Sequence, residues 1–355
     1  MLRQWLIPFF MLCLAAISVL VLRSVAPTLL PRQLTFFFLG GVIFFLASRI
    51  SFSNWLNIGP YLYGLLITLL LLTQVIGKVT RGAVSWIPIG PIHIEPSQLA
   101  VVFAGLVMCQ FVVKNPIKNV KNLLFFGMLA GFPAMLIFLQ PDFGSTMIYV
   151  SAMASLFFLS DTKVTYFLSI LGLTVIAMYI GWNFLLRPYQ KARVTSFLNV
   201  SDQASSASYN AIQSVIAVGS GQFLGRGLGQ GIQSHLRFLP ERQTDFVFAS
   251  FAEETGWVGS GLIIAIYTML TFFLILMGYL APKPAEKYFC YISATMLGVQ
   301  ATINVGMNIG LLPITGITLP LISYGGSSVL SLCFQFGCVQ SIINDFKKRP
   351  SLHIR

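Results

Sequence analysis

Four of the ten acidic residues in this 355-residue chain fall within fourteen positions: Glu241, Asp245, Glu253 and Glu254. They lie in Leu239-Pro-Glu-Arg-Gln-Thr-Asp-Phe246 and in the Ala252-Glu-Glu-Thr-Gly256 that follows, where a long polar segment gives way to an apolar run. A carboxylate at the edge of hydrocarbon costs several kcal/mol unless water or a partner stabilises it, so acids in this position are candidates for chemistry. Asp245, beside Thr244 and near Arg242, is suited to act as a general base or to ligate a divalent cation, magnesium or manganese. The bland alternative is a helix start, with Thr244 as the cap and Asp245 in the first turn.

Other groups of suitable chemistry are spread along the chain. Arg187, Lys191 and Arg193 form a basic cluster that could clamp phosphate or pyrophosphate, or anchor lipid headgroups. The hydroxyl-rich loop Leu321-Ile-Ser-Tyr-Gly-Gly-Ser-Ser328, with Ser323 and Tyr324, suits a sugar, or else lets helices approach closely. Asp142, in Gln140-Pro-Asp-Phe-Gly-Ser-Thr146, is either a second carboxylate or a helix cap. The glycines at 219, 221, 225, 227, 229 and 231 lack the Gly-Lys-Ser/Thr ending and βαβ setting of a nucleotide loop. They suit tight turns, or backbone N–H groups brought close to an anion.

The elements that must position these groups are membrane helices. The chain is 56% hydrophobic and 9% charged, with a mean hydropathy of +0.82. Apolar runs long enough to cross about 30 Å of hydrocarbon recur throughout, without the two-residue alternation of a barrel. The expectation is an all-α polytopic membrane protein, one domain over 1–355. About ten spans are expected: 5–22, 34–50, 57–76, 98–113, 122–139, 145–160, 164–186, 256–280, 288–311 and 326–344. The first run has no small-residue cleavage site and is followed by Arg23, so it is read as a retained span. One large extracytoplasmic region, 187–255, separates spans seven and eight and is expected to hold short helices on or in the membrane surface. Smaller irregular loops are expected at 77–97, 140–144 and 312–327.

Charge sets the orientation. With both termini in the cytoplasm, twelve of the 22 Lys and Arg fall inside, four in short outer loops and six in the long segment. The net charge of +12 then lines the inner leaflet and one outer loop. Anionic membrane lipid is the indicated partner and nucleic acid is not, because no basic patch is interleaved with stacking aromatics. The five cysteines and three histidines show no metal-ligand spacing.

Taken together, the blocks resemble the SEDS family of bacterial cell-wall polymerases, its RodA-like members first and its FtsW-like members as the near alternative. The resemblance rests on Arg187-Pro-Tyr-Gln-Lys-Ala-Arg193, Tyr209-Asn-Ala-Ile-Gln-Ser214, Leu239-Pro-Glu-Arg-Gln-Thr-Asp-Phe246, Ala252-Glu-Glu-Thr-Gly256 and Leu319-Pro-Leu-Ile-Ser-Tyr-Gly-Gly-Ser-Ser328, in that order. It implies a peptidoglycan glycosyltransferase of the cytoplasmic membrane, its active face outside, polymerising lipid II during cell elongation. The other substrate is the glycan on undecaprenyl pyrophosphate, and a class B penicillin-binding protein is the implied transpeptidase partner. Asp245 stands where the family has its essential aspartate. Arg187, Lys191, Arg193, Gln213, Ser214, Glu241, Arg242, Thr244, Asp142, Ser323 and Tyr324 are then candidates for holding pyrophosphate or sugar.

One region departs from the family. Ser85, Gln98 and Val101 stand where an arginine, a glutamate and a lysine are usual, with Glu95 and Arg81 nearby to compensate. The alternatives are a lipid-linked-sugar flippase, which calls for polar residues deep in several spans, and a weakly active scaffold of the cell-wall machinery.

Overall fold

The computed structural model describes residues 3–80, 83–89, 92–160, 162–185, 191, 206–236 and 238–348. Among the described residues, each expected apolar run falls on one of ten helices of seventeen residues or more, with ends displaced by a few positions except at the start of the eighth. These are α1 Arg3–Val25, α2 Leu30–Arg49, α3 Phe52–Ile76, α4 Ser97–Lys114, α5 Val120–Leu139, α6 Phe143–Leu159, α7 Val164–Ile180, α10 Val247–Leu280, α11 Pro284–Asn308 and α12 Gly326–Lys348. Between α7 and α10 lie α8 Ser206–Ser220 and the single turn α9 Ile232–His235.

Among the described residues, seven segments are long and apolar enough to cross a membrane: α1, α2 with the turn before it, α3, α4, α5, α10 and α12. α6 and α7 are shorter, and α11 is more polar. The polar side chains of α11 explain its composition, because Ser293, Gln300, Asn304 and Asn308 are all buried in protein rather than lipid. α11 packs against α10, α6 and α4, and α12 lies along α2.

The structure refines three of these expectations. The 77–97 loop is not irregular: β1 Lys78–Thr80, β2 Ala83–Ile89 and β3 Ile92–Ile94 form a small antiparallel sheet within an otherwise helical fold. Valine and isoleucine dominate this stretch, and their branched side chains suit a pleated surface. Helix α10 begins at Val247, nine residues before the expected span, and breaks at Gly256 (φ 67°, ψ −160°). The stretch before that break, carrying Glu253 and Glu254, is a short helix that precedes the position where the span was expected to begin. The run 288–311 leaves the helix at Asn308, and Gly310 turns the chain at φ 76°.

The polar ends of the helices meet at one end of the bundle. Ser18 of α1 donates to the Ile322 carbonyl at 2.8 Å, and Gln33 of α2 donates to that of Ser323 at 3.3 Å. Gln140 donates to Thr73 at the end of α3 at 2.7 Å. The Glu95 N–H donates to Ser327 Oγ at the start of α12, 3.0 Å away. Every candidate carboxylate of the sequence lies among these ends.

Candidate functional site

Asp245 sits in a turn rather than on a helix. The turn begins at Glu241, held at φ 52°, whose carbonyl accepts from the N–H groups of Thr244 at 3.0 Å and Phe246 at 3.3 Å. Thr244 Oγ1 donates back to Glu241 Oε2 at 3.1 Å, so the two side chains brace the turn they belong to. Thr244 therefore does not cap α10, which starts two residues after Asp245. The aspartate itself is half-buried.

The turn is gripped from two other elements. On one side, the Tyr324 N–H donates to the Gln243 carbonyl at 2.9 Å, and Ser323 Oγ donates to that of Thr244 at 2.6 Å. On the other, Asn304 and Asn308 of α11 both donate to the Asp245 carbonyl at 3.1 Å. The loop 317–325 is itself held by Gln300, which donates to Thr318 O at 3.1 Å, and by Tyr267, whose hydroxyl donates to Pro320 O. A buried amide–carbonyl bond contributes about 1 kcal/mol net, and an unmade one costs more. The backbone at Asp245 is thus fixed at the polar end of the bundle, as any group that must act from a set position requires.

The neighbouring acids do different work. Glu253 is buried completely and accepts from Gln233 N (2.8 Å), Ser234 N (3.0 Å) and Ser234 Oγ (2.6 Å). These N–H groups belong to the first turn of α9 and have no partner within it, so Glu253 caps that turn. Glu254, also buried, accepts from Ser24 of α1, from the Gly229 N–H at 3.2 Å, and meets His235 at 3.1 Å. Arg242 donates to the Ser234 carbonyl.

The glycine-rich segment serves the same junction. A Cβ at Gly225 (φ 82°) would come within 2.1 Å of the Glu254 carbonyl, and one at Gly256 would come within 2.3 Å of the Gly225 nitrogen. That contact brings the N–H groups of Arg226 and Gly227 to the carbonyls of Glu253 and Glu254, both at 3.0 Å. The anion met by a glycine N–H is the protein's own Glu254.

A second carboxyl pair lies where the chain departs from the family pattern. Asp142 caps α6, accepting from Ser145 N at 3.0 Å. Ser97 Oγ lies 2.9 Å from Glu95 Oε1 and 3.3 Å from Asp142 Oδ2, and Gln98 donates to Glu95 at 3.2 Å. Some of the Glu95 residue is exposed, but its carboxyl group is enclosed. Burial, and then the charge of Asp142 beside it, push that carboxyl from 4.5 up to about 8. Glu95 thus occupies the neighbourhood of the missing glutamate, while Val101 is buried among apolar side chains.

Of the other candidates, Ser214 is buried and bonds the Ala211 carbonyl of its own helix at 3.0 Å, and Gln213 is half-buried on the same helix, α8. Ser323 is buried and spends its hydroxyl on the Asp245 turn; Tyr324 joins that turn through its backbone. Lys191 is half-buried, whereas Arg187, Arg193 and Arg81 lie outside the described residues. Among the described residues no three His, Cys, Asp or Glu side chains gather as a metal cage. Sequence reasoning missed Asn304 and Asn308. Two amides four residues apart at the end of an apolar run were the signal, since polar groups inside spans need a reason.

Comparison with known proteins places this geometry in context. Residues 1–348 match the family model FtsW/RodA/SpoVE, described as cell cycle protein. A probable peptidoglycan glycosyltransferase FtsW of Pseudoalteromonas translucida is 36% identical over 329 residues, covering 90% of this chain and 80% of that one. The peptidoglycan glycosyltransferase MrdB of Escherichia coli is 34% identical over 342 residues, covering 94% and 91%. Among solved structures, a chain from a study of polymerisation and crosslinking by a peptidoglycan synthase complex superposes with a TM-score of 0.83 at 28% identity, covering 97% of this chain and 98% of that one. The rod shape determining protein RodA of Thermus thermophilus superposes with a TM-score of 0.73 at 27% identity, with 96% of each chain covered.

Proposed function

The chain belongs to the FtsW/RodA/SpoVE family, the SEDS proteins, and we propose that it is a peptidoglycan glycosyltransferase that polymerises lipid II, with Asp245 as its general base. It is a multi-pass protein of the bacterial inner membrane. Both termini are cytoplasmic in this reading and the polar end of the bundle faces outward, as the Lys and Arg distribution favours.

The reaction joins two lipid-linked sugars. The 4-hydroxyl of the acceptor sugar attacks the anomeric carbon of the glycan carried on undecaprenyl pyrophosphate. The new C–O bond forms as the bond to pyrophosphate breaks, and the hydroxyl proton passes to the Asp245 carboxylate. The anomeric carbon carries oxocarbenium character and the departing pyrophosphate gathers negative charge, which Arg187, Lys191 and Arg193 are suited to balance. Among the described residues no three His, Cys, Asp or Glu side chains form a protein cage for a cation. Magnesium or manganese, if used, would be held by Asp245 together with substrate phosphate oxygens and would neutralise the leaving group.

The observation that carries this reading is the tethering of the turn at Asp245, by α11 at its own carbonyl and by the 317–325 loop at the carbonyl of Thr244, which fixes the position from which the aspartate acts. The elongation role, and a class B penicillin-binding protein as partner, follow from the RodA-like blocks around Arg187 and Asp245. The synthase complex among the solved structures supports a crosslinking partner.

The test is polymerisation of labelled lipid II by the purified protein, alone and with its cognate penicillin-binding protein, beside Asp245→Asn. Loss of a general base lowers the rate by about 10²–10⁴-fold. Long strands that vanish in Asp245→Asn support the reading, and near-normal turnover in that variant overturns the base assignment.

A further inference from the structure

We infer that Asn304 and Asn308 are positioning residues for Asp245, fixing the aspartate through its main-chain carbonyl from the last two turns of α11. The inference rests on the reading of Asp245 as the base and says what sets the direction of its side chain.

Both asparagines are fully buried, four residues apart on one helix face. An asparagine amide carries two N–H donors, and both amides spend both of theirs. Asn304 Nδ2 donates to Asp245 O at 3.1 Å and to Ile317 O at 2.6 Å. Asn308 Nδ2 donates to Asp245 O at 3.1 Å and to Asn304 O at 2.8 Å. The Asp245 carbonyl, which has two lone pairs, is thereby saturated by two side chains of one rigid element.

Asn308 makes a further contact that ties Asp245 to the helix after it. Its Oδ1 accepts from the Ala249 N–H at 3.2 Å. Ala249 lies in the first turn of α10, where backbone N–H groups have no intrahelical partner. One side chain therefore holds the turn at Asp245 and the first turn of α10 at a fixed separation. Asn304 does the same between Asp245 and Ile317, the start of the loop that carries Ser323.

The cost of losing this arrangement falls on the chemical step. Misplacing a catalytic group by about 1 Å costs about 10²-fold in rate, while substrate contacts elsewhere are unaffected. Neither asparagine donates to the Asp245 carboxyl in these bonds; they act on it through the backbone.

The experiment measures steady-state lipid II polymerisation by the full-length protein and its Asn304→Ala and Asn308→Ala variants, with thermal melting of each. Gln335→Leu serves as the stability control, because it removes a buried 2.9 Å bond to Ser293 between α12 and α11 away from the Asp245 turn. The expected result is a fall in kcat of about tenfold or more with KM within about threefold, and an unchanged kcat in Gln335→Leu despite its lower melting temperature. Should the alanine variants not fold, Asn304→Gln and Asn308→Gln keep the amide, shift it by one methylene and are expected to lose kcat in the same way. Parental kcat in the folded asparagine variants, or an equal loss in Gln335→Leu, overturns the inference. Asp245→Asn in the same assay separates the two readings. If it stays active the base assignment fails; if it is inactive while the asparagine variants run normally, only the positioning inference fails.

Discussion

Ser323 donates its hydroxyl hydrogen to the Thr244 carbonyl at 2.6 Å, joining the loop before α12 to the residue that precedes Asp245 across 79 positions of sequence. The same oxygen accepts from the Leu319 N–H at 2.7 Å, so one small side chain sets the shape of its own loop and the place of the other. Read from the sequence as a sugar contact or a small residue for close helix approach, this serine braces the Asp245 turn through these two bonds.

Ser323→Ala is therefore expected to leave a folded protein, weakened by about 1 kcal/mol, with lower turnover and little change in KM. Kinetics of lipid II polymerisation alongside thermal melting check this. A raised KM at normal kcat would return Ser323 to the substrate.

Glu253 predicts a different outcome. Glu253→Ala strips three hydrogen bonds from the α9 turn and leaves buried donors unpaired, a loss of about 3 kcal/mol or more. Poor recovery and a lowered melting temperature in detergent are expected. A variant that melts like the parent would remove Glu253 from the framework and reopen a catalytic role.

The junction of Gly225 and Gly256 is expected to tolerate no side chain. Both residues adopt positive φ, and a Cβ on either meets backbone closer than 2.5 Å. Gly256→Ala or Gly225→Ala should lose more than the roughly 1–3 kcal/mol of backbone strain alone, because the clash adds to it. Melting and proteolysis of the purified variants give the measurement, and parental stability would contradict the close approach.

Glu95 gives a pH dependence. Its folded value of about 8 lies above the ordinary 4.5, so between these limits the folded state binds more proton than the unfolded state. Stability contributed by this group is then fully present below pH 4.5 and is lost as pH rises towards about 8. Glu95→Gln, which cannot ionise, is expected to flatten that slope and to be the more stable form at pH 8. Melting curves from pH 5 to 9 test it; parallel slopes in parent and variant would show that Glu95 stays charged.

Much of this was legible beforehand. Ten apolar runs gave ten helices because hydrocarbon leaves the backbone no partner but itself, a constraint written in composition alone. Asp245 stood out because acids are scarce in such a chain and cluster in one segment. The sheet at 78–94 was missed because short strands owe their stability to one another across turns, and spacing does not report that pairing.

The division of labour among the acids was the part that stayed hidden. Glu241, Glu253 and Glu254 share with Asp245 the same chemistry and the same fourteen positions, so residue type and spacing could not separate them. Their partners come from distant parts of the chain: Ser24 of α1 for Glu254, Asn304 and Asn308 of α11 for the Asp245 turn. Sequence determined that carboxylates gather at one end of a helical membrane bundle, because burial of apolar length and the scarcity of charge are local properties. Tertiary structure alone decided which carboxylate is spent on holding the backbone and which has its backbone held for it, because hydrogen bonds between distant segments exist only once the helices have packed.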